Sequence, residues 1–373
     1  MADCDSGSFS LTIVGSGVST GVPVIGHLFG GCACAVALRD AEGPNRRNNV
    51  SLLITVPSPP DDGSAGQCVK HILIDCGKTF RDAYFRVLAK HHVQAVDALL
   101  LTHDHADAMG GLDDMRDLQR MRTEGHDDWF IEQYVSTYAS EKTLNVLRKQ
   151  FGYILRNSRE IGPAPLTAEE HESLMQRVAE ERRRVGLTNK IGMYRSAALD
   201  LFTLPDKAPT PFYLPALGAD FPIYSVPVEH GAGYIALGFV FGRGAALRSA
   251  GATDASVANG SCVVYLSDVS AVPVPAMTFL HDLVKIDVLI VDLLYGPGKR
   301  HPTHYCMDDV MRLVASLQPT RTYTIGMYCD VEHERGNGQL RERLEELRRS
   351  GKCGDGVRSV ELGFDGLHIR LPL

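Results

Sequence analysis

Leu99-Leu100-Leu101-Thr102-His103-Asp104-His105-Ala106-Asp107 is an apolar run that leads straight into three potential metal ligands at alternate positions. Three successive leucines suit a buried strand, and a rigid strand end fixes the directions of the side chains that follow it. Imidazole and carboxylate together suit Zn²⁺ or a related first-row ion. His103, His105 and Asp107 are therefore the first candidate ligands. The competing reading, a surface loop that happens to carry two histidines, has to be weighed against the rest of the chain.

Outward from this segment, short apolar or alternating runs bounded by Gly, Pro, Asp or Asn recur at 9–14, 51–56, 71–75 and 98–102, and again at 223–228, 234–242, 262–266, 288–292, 322–325, 358–362 and 367–371. These are enough strands for two sheets. Between them Phe80, Ala83, Tyr84, Val87 and Leu88 recur at helical spacing within residues 79–91, a face that should pack on a sheet. Thr167 followed by Glu170 is a capping-box signature that opens a charged helix running to about Val185. That helix lies in a largely helical insertion, residues 118–201, within a single domain spanning 1–373. Residues 57–66 and 244–260 read as loops, and no fixed-period repeat suggests a solenoid or propeller.

With 373 residues, 44% of them hydrophobic, the chain can bury a sizeable core. A formal net charge of −7 offers no general attraction for polyanions, so a nucleic-acid partner would need a local basic patch. Arg182, Arg183 and Arg184 share their helix with Glu169, Glu170, Glu172, Glu180 and Glu181, which reads as a solvated face. Nine cysteines spread from Cys4 to Cys353 do not resemble a small disulfide framework and are expected to be reduced. The opening MADCDSGSFSLTIVG carries acidic residues where a signal peptide has basic ones, and no stretch offers about 18 uninterrupted apolar residues. A cytoplasmic chain with no membrane partner is the expectation.

Three further residues stand at strand ends. Taken singly, Asp75 in ILIDCG suits a turn cap, His230 in VPVEHG an ordinary loop, and Asp268 in YLSDVS a helix cap near Val272. Their joint occurrence with His103, His105 and Asp107 favours a site. In this order the sequence resembles the metallo-β-lactamase superfamily, whose hallmark is His-x-His-x-Asp-His after a buried strand, followed by a His, an Asp and a last His. The resemblance runs almost end to end and implies an α/β fold, a four-layered αββα sandwich. It implies that His103, His105 and His230 hold one metal, that Asp268 is a bridging carboxylate, and that Asp75 orients the metal loop from behind. GSGVSTGVPVIG at 15–26, GLDDMR at 111–116 and HPTH at 301–304 are most similar to the branch containing the phosphoribosyl cyclic-phosphate phosphodiesterase.

The chain departs from that pattern at two ligands of the second metal: Ala108 follows Asp107, and Gly326 stands where the final histidine belongs. Asp107 and Asp268 alone would hold a second ion poorly, because first-row ions want three or more strong donors. One Zn²⁺ per chain is the expectation, with Mn²⁺ or a weakly held second ion as the alternative. Cys329, Asp330 or His333 could complete the second position from a shifted loop, although a buried cysteine and exposed polar residues explain those three as well. Cys32-Ala33-Cys34 lacks the third cysteine of the Cys-x-Cys-x-x-Cys segment found in that branch, a weak basis for a separate structural zinc unless His27 or a distant residue joins.

Gly15-Ser16-Gly17 is not a dinucleotide fingerprint, because the third glycine is misplaced and Pro23 follows where a helix should begin. A tight loop beside the metal, with Ser16 on the substrate side, is one reading; a purely structural turn is the other. The resemblance implies hydrolysis of a small phosphodiester or cyclic phosphate by a metal-activated water, with Asp107 and Asp268 handling its proton and His304 protonating the leaving group, His301 also facing the substrate. A thioester or other acyl hydrolase, and an impaired member that binds metal or phosphate without turnover, are the alternatives. The insertion can be read as a lid, an exosite or the surface of a homodimer.

Overall fold

Apolar residues alternate along the strands and sort onto opposite faces, so each sheet packs on two sides. The computed structural model describes residues 7–27, 30–58, 68–125, 128–192 and 195–373. The first sheet holds β1 (Ser8–Gly15), β2 (Ser51–Ser58), β3 (Cys68–Ile74), β4 (Ala98–Leu100), β7 (Val135–Ser140), β8 (Arg159–Pro163), β10 (Leu199–Leu204) and β18 (His368–Pro372), in the order β18-β1-β2-β3-β4-β7-β10-β8. The second runs consecutively through β11 (Thr210–Pro211), β12 (Ile223–Glu229), β13 (Ile235–Phe241), β14 (Val263–Leu266), β15 (Val288–Asp292), β16 (Arg321–Ile325) and β17 (Ser359–Leu362). Strands β5 (Met121–Glu124), β6 (Asp128–Ile131) and β9 (Lys190–Gly192) make a small third sheet.

Leu52, Ile54, Ile72, Ile74 and Leu100 of the first sheet meet Leu237, Phe239, Phe241, Tyr265 and Ile290 of the second in one buried core. The intervening Leu53, Leu73, Leu99 and Leu101 point the other way, against Phe80 and Ala83 of α2 (Phe80–Arg86) and Leu144 and Leu147 of α4 (Glu141–Gln150). Val264, Leu266, Leu289 and Val291 pack outward on α6 (Val274–Asp282), α7 (Met307–Leu317) and α8 (His333–Arg349). Helix, sheet, sheet and helix form the four layers expected. The remaining helices are α1 (Ala33–Arg39), α3 (Ala106–Met109) and α5 (Ala168–Arg184).

Both sheets change from antiparallel to parallel pairing, and the site grows from the carboxyl ends of the parallel strands. At that end Leu237 N donates to Thr102 O at 2.8 Å, so a main-chain bond joins the sheets next to His103.

The segment 118–201 is not the helical insertion expected. It contains α4 and α5, but β7 and β8 within it and β10, which begins at its end, are integral to the first sheet, β7 pairing directly with β4. Its strands hide from pattern reading because Val135–Ser140 and Arg159–Pro163 mix polar residues into short runs. Thr167 does cap α5 by accepting from Glu170 N, and the carboxylate of Glu170 reaches back to Leu166 N. Of the expected loop at 57–66, residues 59–66 lie outside the described residues. Among the described residues no helix is long and apolar enough to cross a membrane.

Candidate metal centre

The turn after β3 places Asp75 in the left-handed region, at φ +60°, under the metal loop. Its buried carboxylate accepts Thr102 N at 2.8 Å and the Thr102 hydroxyl at 2.7 Å. That hydroxyl lies 2.9 Å from His103 Nδ1. Having given its one proton to Asp75, it accepts from His103 Nδ1–H, which leaves the lone pair on Nε2. Asp75 thus orients the loop through Thr102, a link the sequence did not reveal.

His230, at the end of β12, has Nδ1 2.8 Å from Thr303 O, which fixes its proton on Nδ1 and frees Nε2 in the same way. His105 is exposed and its ring stacks on Tyr234 at 5.0 Å. The three imidazoles converge: ring centroids are 4.6 Å apart for His103 and His105 and 5.2 Å from each to His230. Their ligand atoms all lie within 4.8 Å of one another. Burial pulls His103 down to about 3, so it is neutral, the form that ligates. Its Nε2 is buried without a hydrogen-bond partner, an orphan that a cation would satisfy.

Asp107 Oδ1 lies 3.9 Å from His103 Nε2, and Asp268 Oδ1 lies 4.0 Å from His230 Nε2. Asp268, at φ +50° after β14, also groups with His103 and Asp107 and with His230 and His304. A carboxylate shared by two such sets suits a bridging position. Burial and the neighbouring Asp268 push the Asp107 carboxyl up, as expected for two acids facing one another before a cation arrives.

His304 has Nδ1 2.8 Å from Asp292 Oδ2. Burial works against its charge, but the carboxylate of Asp292, with Asp268 and Asp107 behind it, raises its pKa to about 9. Asp292, the last residue of β15, escaped sequence reading because a terminal strand aspartate looks like an ordinary cap. His301 is half-buried beside it, its ring 5.3 Å from that of His304 and its Nδ1 3.1 Å from the Thr303 hydroxyl. Ala108 is buried, and Gly326 sits at φ +80°, so neither position offers a ligand.

Ser16 does not face a substrate. It is fully buried, and its amide and hydroxyl both bind the Asp365 carboxylate, at 2.9 and 2.8 Å. Asp365 also accepts Asn48 N at 2.8 Å and pairs with Arg86 at 3.1 Å, so the glycine-rich turn is tied down as structure.

A second donor cluster forms where two thiols were expected to be too few. His27 Nδ1 lies 3.8 Å from Cys32 Sγ, 4.0 Å from Cys34 Sγ and 3.4 Å from Cys329 Sγ. Zn–S and Zn–N bonds of about 2.3 and 2.0 Å place tetrahedral ligands roughly 3.5–3.8 Å apart, so these separations fit a closed Cys₃His site. Cys329 is the distant residue that joins, brought in because Ala33 N donates to Cys329 O at 2.8 Å. Burial opposes ionisation of Cys32, yet hydrogen bonds from Cys34, His27 and Cys329 outweigh it and bring its pKa down to about 7.

A family profile described as the Beta-lactamase superfamily domain matches residues 70–327. The chain is similar to the crystal structure of a new diphosphatase from the PhnP family, with 25% identity, a TM-score of 0.61, and 98% of this chain and 99% of that one covered. It also shares its fold with the metallo-β-lactamase fold protein YhfI from Bacillus subtilis, at 12% identity and a TM-score of 0.53 over 97% and 99% of the two chains. An octanoyltransferase of Porphyromonas gingivalis (strain ATCC BAA-308 / W83) is 35% identical over 147 residues, 39% of this chain. The chain spans only 23% of that protein's length.

Proposed function

The chain belongs to the metallo-β-lactamase superfamily, and from that premise we propose that it is a metal-dependent hydrolase of a phosphodiester or cyclic phosphate. The observation that carries this reading is the convergence of His103, His105 and His230 on one point, where the buried Nε2 of His103 has no hydrogen-bond partner. Similarity over nearly the full length to a diphosphatase supports the phosphoryl substrate.

His103, His105 and His230 hold the first ion, for which we propose zinc with manganese as the alternative, and Asp107 and Asp268 face it. When bound, such an ion supplies Lewis acidity, lowering the pKa of a water to about 7 and neutralising charge on a phosphoryl oxygen. Asp107 and Asp268 orient the water and accept its proton. His304, its Nδ1 held by Asp292, presents Nε2 as the donor to the leaving alkoxide, and His301 lines the same side. A second ion would find Asp107 and Asp268 but no histidine at 108 or 326, and with His304 paired to Asp292 as the proton donor it would be held weakly. A separate zinc at His27, Cys32, Cys34 and Cys329 staples the N-terminal loop to the 327–331 turn. Those thiolates, together with free cysteines throughout the described residues, favour a reducing, cytoplasmic setting for the chain.

Purified protein supplied with Zn²⁺ or Mn²⁺ should hydrolyse bis(p-nitrophenyl) phosphate, and His103→Ala should abolish turnover. A rate unchanged in that variant would assign the activity to something else. The similarity to an octanoyltransferase favours one second reading, acyl chemistry, so octanoyl and glutathione thioesters belong in the same assay. Turnover of thioesters alone selects that reading; metal binding with no turnover of either class selects a binding protein.

A further inference from the structure

The three imidazoles differ in what holds them. His103 Nδ1 lies 2.9 Å from the Thr102 hydroxyl and His230 Nδ1 lies 2.8 Å from Thr303 O, whereas neither ring nitrogen of His105 has a hydrogen-bond partner among the described residues. His105 is also the exposed one of the three. An exposed ligand with nothing on its second nitrogen turns freely about its side-chain bonds, and ordering it costs metal affinity. Apart from the other two imidazoles, what flanks its ring is Tyr234, stacked on it with centroids 5.0 Å apart and planes 30° apart.

Tyr234 also touches the rest of the ligand set. Its ring meets His103 and His230 edge-on, with centroids 6.3 and 5.6 Å away and planes at 83° and 80°, and so walls the cup that the imidazoles make. Its hydroxyl donates to Asp104 Oδ1 and accepts from Asp104 N at 3.4 Å, gripping the residue between His103 and His105. Its carbonyl accepts from His230 N at 2.8 Å and its amide donates to Gly231 O at 3.2 Å, in a turn that Gly231 and Gly233 permit at φ +88° and +74°. Lys142, in the first turn of α4, brings Nζ to 3.2 Å from the ring centre, a cation–π contact that packs the ring further. Tyr234 follows β12 of the second sheet, while Asp104 and His105 follow β4 of the first. One side chain therefore joins the two halves of the site.

We propose that Tyr234 is a positioning residue: its ring holds the His105 imidazole in the orientation that ligates, in place of the hydrogen bond that His103 and His230 each have. Aromatic pairs attract in offset geometry with centroids about 4.5–7 Å apart, so the stack favours one plane of the imidazole over the others. The proposal rests on the three-histidine metal reading but not on turnover.

The test is Zn²⁺ affinity at the histidine site, read by chelator competition as the ion that His103→Ala loses. Tyr234→Leu should lower it about tenfold, and Tyr234→Phe, which keeps the ring and gives up only the hold on Asp104, should stay within about threefold of wild type. A disturbed turn would also weaken binding, so the decisive measurement is a double-mutant cycle. In a His105→Ala background, Tyr234→Leu should change the affinity by less than about twofold, because the ring no longer has a ligand to orient. The same tenfold loss in that background would leave Tyr234 a merely structural role and overturn the proposal. So would an unchanged affinity in Tyr234→Leu, a Phe variant as weak as the Leu variant, or a wild-type protein with no ion for His103→Ala to lose. Melting temperatures of the metal-free proteins check folding, and Tyr234→Met supplies the same comparison if Tyr234→Leu does not fold. The expected pattern of affinities without hydrolysis of bis(p-nitrophenyl) phosphate sustains the role of Tyr234 and removes only the hydrolase reading.

Discussion

Asp292 Oδ1 stands in the space that a β-carbon on Gly326 would occupy. The two residues end neighbouring parallel strands, with Leu293 N donating to Ile325 O at 2.7 Å across the gap. The place where the family pattern puts a metal histidine is thus closed by a carboxylate that holds His304 instead. The space beside the bare Cα of Gly326 and the Asp292–His304 pair are structurally coupled.

Gly326→His should therefore fail to rebuild a second metal site. Left-handed backbone at φ +80° and overlap with Asp292 predict destabilisation of about 2–4 kcal/mol. Thermal denaturation with metal analysis checks this; a variant that gains a tightly bound ion at unchanged melting temperature would contradict it.

The same pair sets a pH dependence. His304 donates only while protonated, and with its pKa raised to about 9 it stays so through neutrality, although a dication nearby pulls that value down. Turnover should fall as pH rises through this pKa. Asp292→Asn removes the main influence that raises it, so the alkaline limb should move to lower pH. A pH–rate profile with the limb unmoved would take the proton-donor role from His304.

Thr102 offers a test of orientation apart from ligation. Thr102→Val keeps the shape of the side chain but breaks the link between Asp75 and His103, leaving Nδ1 without a partner and the buried carboxylate with the residue-102 amide alone. Metal affinity should fall about 10–100-fold, with all three histidines intact. Chelator competition measures it; an unchanged affinity would reduce Asp75 to a turn residue.

How much of this was legible in the sequence depended on whether a signal is local. Strand β4 and the residues after it announced themselves, since buried leucines and alternate ligands sit within nine positions. His230 and Asp268 needed the family order, because each alone resembles a cap or loop. Asp292, Thr303 and Tyr234 act by contacts that only packing creates, so no spacing rule could find them. Strands β7, β8 and β10 were hidden in a supposed helical insertion, since Arg159 and Asp200 pair within the sheet where pattern reading expects apolar residues. Cys329, 295 residues beyond Cys34, joins its cluster through chain folding alone.

That cluster alters the expected metal count. One ion per chain was the expectation from the three histidines; a Cys₃His cluster of tetrahedral dimensions would add a second, at separate residues. Cys329→Ser should then bind one zinc fewer and melt at a lower temperature, because the site ties residues near Cys32 to a turn near the C-terminus. The proposed phosphodiesterase activity per remaining metal ion should change little, since none of His103, His105 and His230 belongs to the cluster. His103→Ala should lose the other ion and all turnover while keeping the cysteine-bound zinc. Elemental analysis of the three proteins after desalting measures both. If Cys329→Ser retains the wild-type zinc content, the four side chains form a reduced thiol cluster and not a metal site.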